Sequence, residues 1–201
     1  MNKKLFAGLA PLLAVMAVAA APGAAQAAPH WYIKNVPVGP GHVTIATKGK
    51  LTISALSATI KCKLADAEEI WNPVGGAGED LMTSFVLTGC KNKVASAACP
   101  KGAVEIKAEG LGWPSRLITT PPPGSVIRDE ILKIRLVLGC AGSSGTVGDV
   151  FEGSLAPEVG NNALIFGPGS GSLFDSGSNP LTITGTDNLI ASKGMVTAND
   201  P

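Results

Sequence analysis

Beyond residue 42, apolar and polar residues alternate with a period of two along much of the chain, while helical spacing is rare, and this predicts strands. Leu51, Ile53 and Ala55 share one face of 50–55, with Lys50, Thr52 and Ser54 on the other. Ala58, Ile60, Cys62 and Leu64 repeat the pattern against Thr59, Lys61 and Lys63. Residues 82–88 are apolar on both faces around Phe85, Val86 and Leu87, as in a strand covered from both sides. Val104, Ile106 and Ala108 alternate with Glu105 and Lys107; Leu132, Ile134, Leu136 and Leu138 alternate with Lys133 and Arg135. Weaker strands are expected at 43–47, 147–155, 163–166 and 181–184. Only 64–70, with Asp66, Glu68 and Glu69, suits a helical turn.

The connectors carry turn chemistry. Asn72-Pro73 leads into Gly75-Gly76-Ala77-Gly78, Pro121-Pro122-Pro123-Gly124 is stiff, and Gly142-Ser143-Ser144-Gly145 is flexible. With 25 Gly and 15 Pro in 201 residues, turns are frequent and long helices are disfavoured. Many short strands between such turns give an all-β class, an antiparallel β-sandwich or partly closed barrel. No linker divides the chain, so 28–201 is expected to form a single β domain.

The N-terminus reads differently. Lys3 and Lys4 precede an apolar run over 5–21, Pro22-Gly23 breaks it, and Ala25-Gln26-Ala27 has the small-x-small pattern of a cleavage site. Residues 1–27 are therefore expected to be a signal peptide, and the run is too short and interrupted to span a membrane. Its removal leaves 174 residues and changes the net charge from +1 to −1. The mature chain is expected outside the cytoplasmic membrane, secreted or in the cell envelope, with no transmembrane segment. So small a charge gives no field for nucleic acid.

Export changes the meaning of the four cysteines, Cys62, Cys90, Cys99 and Cys140. An even number in an exported chain favours two disulfides, and without C-x-x-C pairs or nearby histidine no metal site is expected. Three connectivities exist. Cys90 and Cys99 flank a short polar excursion, while Cys62 and Cys140 end alternating stretches, so the expected bridges are 62–140 and 90–99.

Candidate chemistry is sparse. His30 and His42 lack a nucleophile pattern, and no G-x-S-x-G is present, so no catalytic residues are assigned. Glu79-Asp80 and Asp129-Glu130 each begin a strand, and facing one another across a cleft they would suit a glycosidase. Equally, acids at strand starts discourage edge pairing. Trp71 and Trp113 precede Asn72-Pro73 and Pro114 in connectors, where an indole either caps the open end of a sandwich or meets a partner. Asp175-Ser176-Gly177-Ser178-Asn179 offers oxygen donors at its ends, which a hairpin turn explains as well as calcium does, and the glycines of 167–171 fit turns better than a phosphate loop.

The leader, the Gly89-Cys90 and Gly139-Cys140 turns, and the segments Ile70-Trp71-Asn72-Pro73, Gly78-Glu79-Asp80, Trp113-Pro114, Ile127-Arg128-Asp129-Glu130 and Gly185-Thr186-Asp187 resemble a group of uncharacterised exported β-rich proteins of actinobacteria. The resemblance implies an envelope or extracellular home and carries no catalytic residue. The expectation is thus a non-enzymatic, cofactor-free interaction module. Its candidate ligand residues are Trp71, Trp113, Glu79, Asp80, Asp129 and Glu130, and its partner a cell-wall polysaccharide or another envelope protein. A carbohydrate-binding module, a weak glycosidase and a purely structural accessory domain are the alternatives.

Overall fold

The computed structural model describes residues 28–55, 58–92, 104–121, 125–140, 148–192 and 194–199. The expected signal peptide, Cys99 and the 142–145 loop lie outside them. Fourteen strands are found among the described residues. They are β1 (His30–Ile33), β2 (Val36–Pro37), β3 (Val43–Ala55), β4 (Ala58–Trp71), β5 (Glu79–Asn92), β6 (Val104–Ala108) and β7 (Trp113–Thr119). There follow β8 (Ile127–Cys140), β9 (Asp149–Leu155), β10 (Glu158–Gly160), β11 (Ala163–Phe166), β12 (Leu173–Phe174), β13 (Pro180–Ile190) and β14 (Val196–Asn199).

The sheet closes on itself as a barrel of eight staves with extra strands. β6 and β7 share the slot between β5 and β8, one towards each end. Likewise β9 and β10 follow one another along β8, and β12 and β11 along β13. Every neighbouring pair is antiparallel, and β13 closes the circuit on β3 over ten residue pairs from Leu181↔Ala55 to Ile190↔Ala46. Closure removes the free edges that an open sheet would expose.

Three bulges set which side chains face inward. Opposite Ala67 and Glu68, β5 carries Thr83 as an extra residue, so Met82 and Phe85 both point in while Val86 is exposed. The two-sided apolar pattern at 82–88 thus reflects a change of phase, not a strand covered on both faces. In β8, Leu132 and Lys133 together oppose one residue of β9, with Lys133 at φ 58°. Ile131, Ile134 and Leu136 consequently form the inward set, and Leu132 drops out of it.

The third bulge corrects the disulfide expectation. Cys62 lies between the pairs Lys61↔Lys91 and Lys63↔Thr88, so it faces both Gly89 and Cys90. Gly89 takes φ 58°, and the turn it permits brings Cys90 to a Cα–Cα distance of 4.2 Å from Cys62. The bridge is Cys62–Cys90, which overturns both 62–140 and 90–99. Cys140 is itself disulfide-bonded.

Two further corrections concern strands. The helical turn expected at 64–70 is the continuation of β4, with Leu64, Asp66, Glu68 and Ile70 all buried. Trp71 and Trp113 lie in strands rather than connectors, ending β4 and beginning β7.

One barrel end is closed by a separate three-stranded sheet in the order β14-β1-β2. Lys34 and Asn35, both at positive φ, make the two-residue turn between β1 and β2. Trp31 of β1 is fully buried and tied down by Asn72, whose Oδ1 accepts from Trp31 N at 2.8 Å and whose Nδ2 donates to the Trp31 and Val38 carbonyls. Gly78 passes beneath it: a Cβ there would approach Trp31 Cδ1 to 2.8 Å. On the opposite rim, Asn162 Oδ1 accepts from Val196 N at 3.0 Å and fastens β14.

Candidate functional site: the capped end of the barrel

Eight strands leave an interior just wide enough to be filled by side chains. Away from the cap it is apolar, and around Met82, Trp113, Ile131, Phe166 and Ile183 the residual gap is only about 10 Å³. Trp113 is buried there, tilted against Phe85 at 5.5 Å, with Nε1 donating to the Glu109 carbonyl.

Towards the cap the inward positions change character. β3 contributes Thr47, β4 Asp66 and Glu68, β5 Asp80, β7 Ser115, β8 Asp129 and β13 Asp187, all buried. They form a belt between the apolar floor and the Trp31 lid. Among the described residues no Lys, Arg or His is buried with them. Thr47 Oγ1 donates to Asp187 Oδ2 at 2.7 Å, and Ser115 Oγ to Asp129 Oδ1 at 2.6 Å. The other eight carboxylate oxygens, including both of Asp66, Glu68 and Asp80, have no hydrogen-bond partner.

The electrostatics follow from this confinement. Burial, then the neighbouring Asp187 charge, pushes Asp66 up to about 9. Burial raises Asp80 to about 6. Glu68 and Asp129 stand well above the ordinary carboxylate range, first through burial and then through the charge of Asp80. Burial raises Asp187 too, although Thr47 donates to it. A proton on Asp66 supplies the donor that two facing carboxylates lack, and Asp80 and Asp129 stand in the same relation.

The two acidic pairs singled out in the sequence do meet, but across β7 and on both sides of the barrel wall. Asp80 pairs with Ser115 and Leu117 with Asp129, which puts Asp80 and Asp129 inside. Glu79 pairs with Arg116 and Arg116 with Glu130, and this row faces out. Arg116 holds Glu130 at 2.8 Å on the surface. The wall separates each pair, so no cleft holds all four carboxylates, and Trp113 is remote from solvent.

Trp71 alone of the two indoles is partly accessible. His42 stacks on it with ring centroids 4.2 Å apart and an interplanar angle of 6°. His42 Nδ1 bonds Glu69 Oε2 at 2.9 Å, which fixes the ring. His30 is held in β1 and bonds the Gly76 carbonyl at 2.9 Å. Nearby an open groove of about 540 Å³ is lined by Ile33, Val36, Pro37, Val38, Gly39 and Val43. Val36 and Val74 are largely exposed.

The calcium alternative at Asp175 resolves into a turn. Asp175 Oδ1 accepts from the Gly177 and Asn179 amides, and Oδ2 from Asn179 Nδ2, so the carboxylate is already satisfied and held below its usual range by Asn179.

The sequence reading missed Asp66, Glu68 and Asp187 as interior residues. The available signal was the phase: Leu64, Asp66, Glu68 and Ile70 keep one period, as do Ile183, Gly185, Asp187 and Leu189. Among the described residues no helix is long and apolar enough to cross a membrane. No protein-family model, no curated protein and no solved structure matches the chain.

Proposed function

We propose that this chain is an exported, non-enzymatic interaction module that meets its partner through the outer surface of the capped end. The observation that carries this reading is the Trp71–His42 stack, braced by Glu69 and partly open to solvent. A rigid, amphipathic ring beside exposed valines is a surface that gains by being covered. The partner is a constituent of the cell envelope, a polysaccharide or another envelope protein. A glycosidase finds less support, because its two carboxylates must reach the same sugar and each acidic pair is split by the barrel wall.

The test is retention of the mature protein on insoluble cell-wall polysaccharide and on envelope extract stripped of polysaccharide. Trp71→Ala is expected to weaken retention about tenfold, the equivalent of one aromatic contact, while its melting temperature stays within a few degrees. Retention by neither material, or retention unchanged by Trp71→Ala and by Val36→Asp, would overturn the proposal.

A further inference from the structure

The belt beneath the cap has a geometry that protons alone do not account for. One oxygen from each of Asp66, Glu68 and Asp187 lies within 4.8 Å of the others, and all three residues are buried. Glu68 is independent support: it is fully buried, neither of its oxygens has a partner, and it supplies one of these converging atoms. A hydrogen-bonded core would have satisfied such a group. The wall opposite Asp187 is also cut away. Its register partner is Gly49, and a Cβ there would lie 3.1 Å from Asp187 Oδ1 and 2.8 Å from its Cα.

We infer that Asp66, Glu68 and Asp187 form a binding site for one hard divalent cation, of the size of calcium, inside the capped end of the barrel. The donor set is all oxygen and anionic, which selects a hard ion over a soft one. Oxygens at about 2.3–2.6 Å from calcium stand up to about 5 Å apart across the ion, and the separations within the trio fall inside that limit. Magnesium, at about 2.0–2.1 Å, needs a tighter octahedron. Thr47 Oγ1 orients Asp187 from the side through its 2.7 Å bond. The ligands come from β4 and β13, the two staves flanking β3, so the ion would clamp the seam where the barrel closes. The role is structural and stands apart from the outer surface proposed above.

The test uses the full mature chain, unfolded in guanidinium with its disulfides oxidised, freed of metal with a chelator and refolded. Refolding is done with CaCl2, with MgCl2, or with NaCl at equal ionic strength. Calcium at a hundredfold excess over its dissociation constant is expected to raise the melting temperature by about 5–10 °C over NaCl. One equivalent should survive gel filtration, and magnesium should do less. Glu68→Gln and Asp187→Asn should fold and lose both the shift and the retained ion, whereas the exposed Glu130→Gln keeps them. Equal melting temperatures in calcium and NaCl, no retained ion, or a shift preserved in both Glu68→Gln and Asp187→Asn would overturn the inference.

Discussion

The two halves of the barrel interior are built from the same staves and filled with opposite chemistry. Away from the cap, Leu51, Ile60, Leu136, Phe151 and Leu181 are buried to within about one per cent of their surface. Each such side chain contributes roughly 1.5–3 kcal/mol by leaving water. Towards the cap, β4, β5, β8 and β13 turn Asp66, Glu68, Asp80, Asp129 and Asp187 inward instead. An unpaired buried carboxylate opposes folding by several kcal/mol when ionised. The apolar half therefore supplies the stability and the acidic half draws on it. That division explains how a belt with eight unpartnered oxygens persists: it sits on a floor with almost no free volume, under a lid anchored on both rims.

The largest loss of stability is expected on the apolar side. Phe151→Ala, which removes a fully buried ring from the floor, is expected to lower stability by about 3–5 kcal/mol in denaturant titration. A loss below about 1 kcal/mol would mean that the floor is not where stability resides. Cys62→Ala with Cys90→Ala opens a bridge of sequence separation 28 and should cost about 3–4 kcal/mol by the same measurement.

The acidic half should respond to pH with a sign opposite to ordinary acid denaturation. Its carboxyls have folded values raised above their unfolded ones, so the folded state holds the extra protons. In cation-free buffer that stability is fully present below about pH 4 and is lost as pH rises, through about 6 for Asp80 and about 9 for Asp66. The rise of Asp80 from 3.8 to about 6 alone corresponds to roughly 3 kcal/mol. Melting temperature should thus fall between pH 5 and pH 8, and Glu68→Gln should flatten the decline and raise stability at pH 8 by about 1–2 kcal/mol. A melting temperature that climbs over this range would contradict the belt as described.

The smallest effect is expected outside the wall. Arg116→Ala removes the exposed contact to Glu130, and surface ion pairs contribute about 0–1 kcal/mol. Asp129→Asn, one residue from Glu130 but facing inward, should by contrast shift the pH profile. Equal responses from the two variants would erase the distinction between the faces.

The strand class was legible because Ile53, Ile60 and Ile183 alternate with polar neighbours as an inward face must. The interior of the capped half was not, because inwardness was equated with apolarity. Asp66 and Glu68 keep the β4 phase, yet their charge makes 64–70 look like a solvated turn. Bulges hid more: Lys133 shifts Ile134 into phase with Ile131, and Thr83 does the same for Phe85. No hydropathy pattern marks an extra residue in one strand, because a bulge is a relation between two strands. The disulfide escaped for the same reason, since Gly89 matters only once β5 is laid against Cys62. Trp113 was misplaced because Pro114 suggested a turn, while in β7 it alternates outward between Trp113 and Ser115.

The lid has a consequence for the order of assembly. β1 and β14 come from opposite ends of the described chain and meet as Trp31↔Ala198. A chain folded only as far as β13 already holds all eight staves of the barrel but lacks the last strand of its lid. If β14 docks last, a proton or ion that neutralises the acids enters before the lid is complete. The contents of the interior would then record the surroundings in which folding finished.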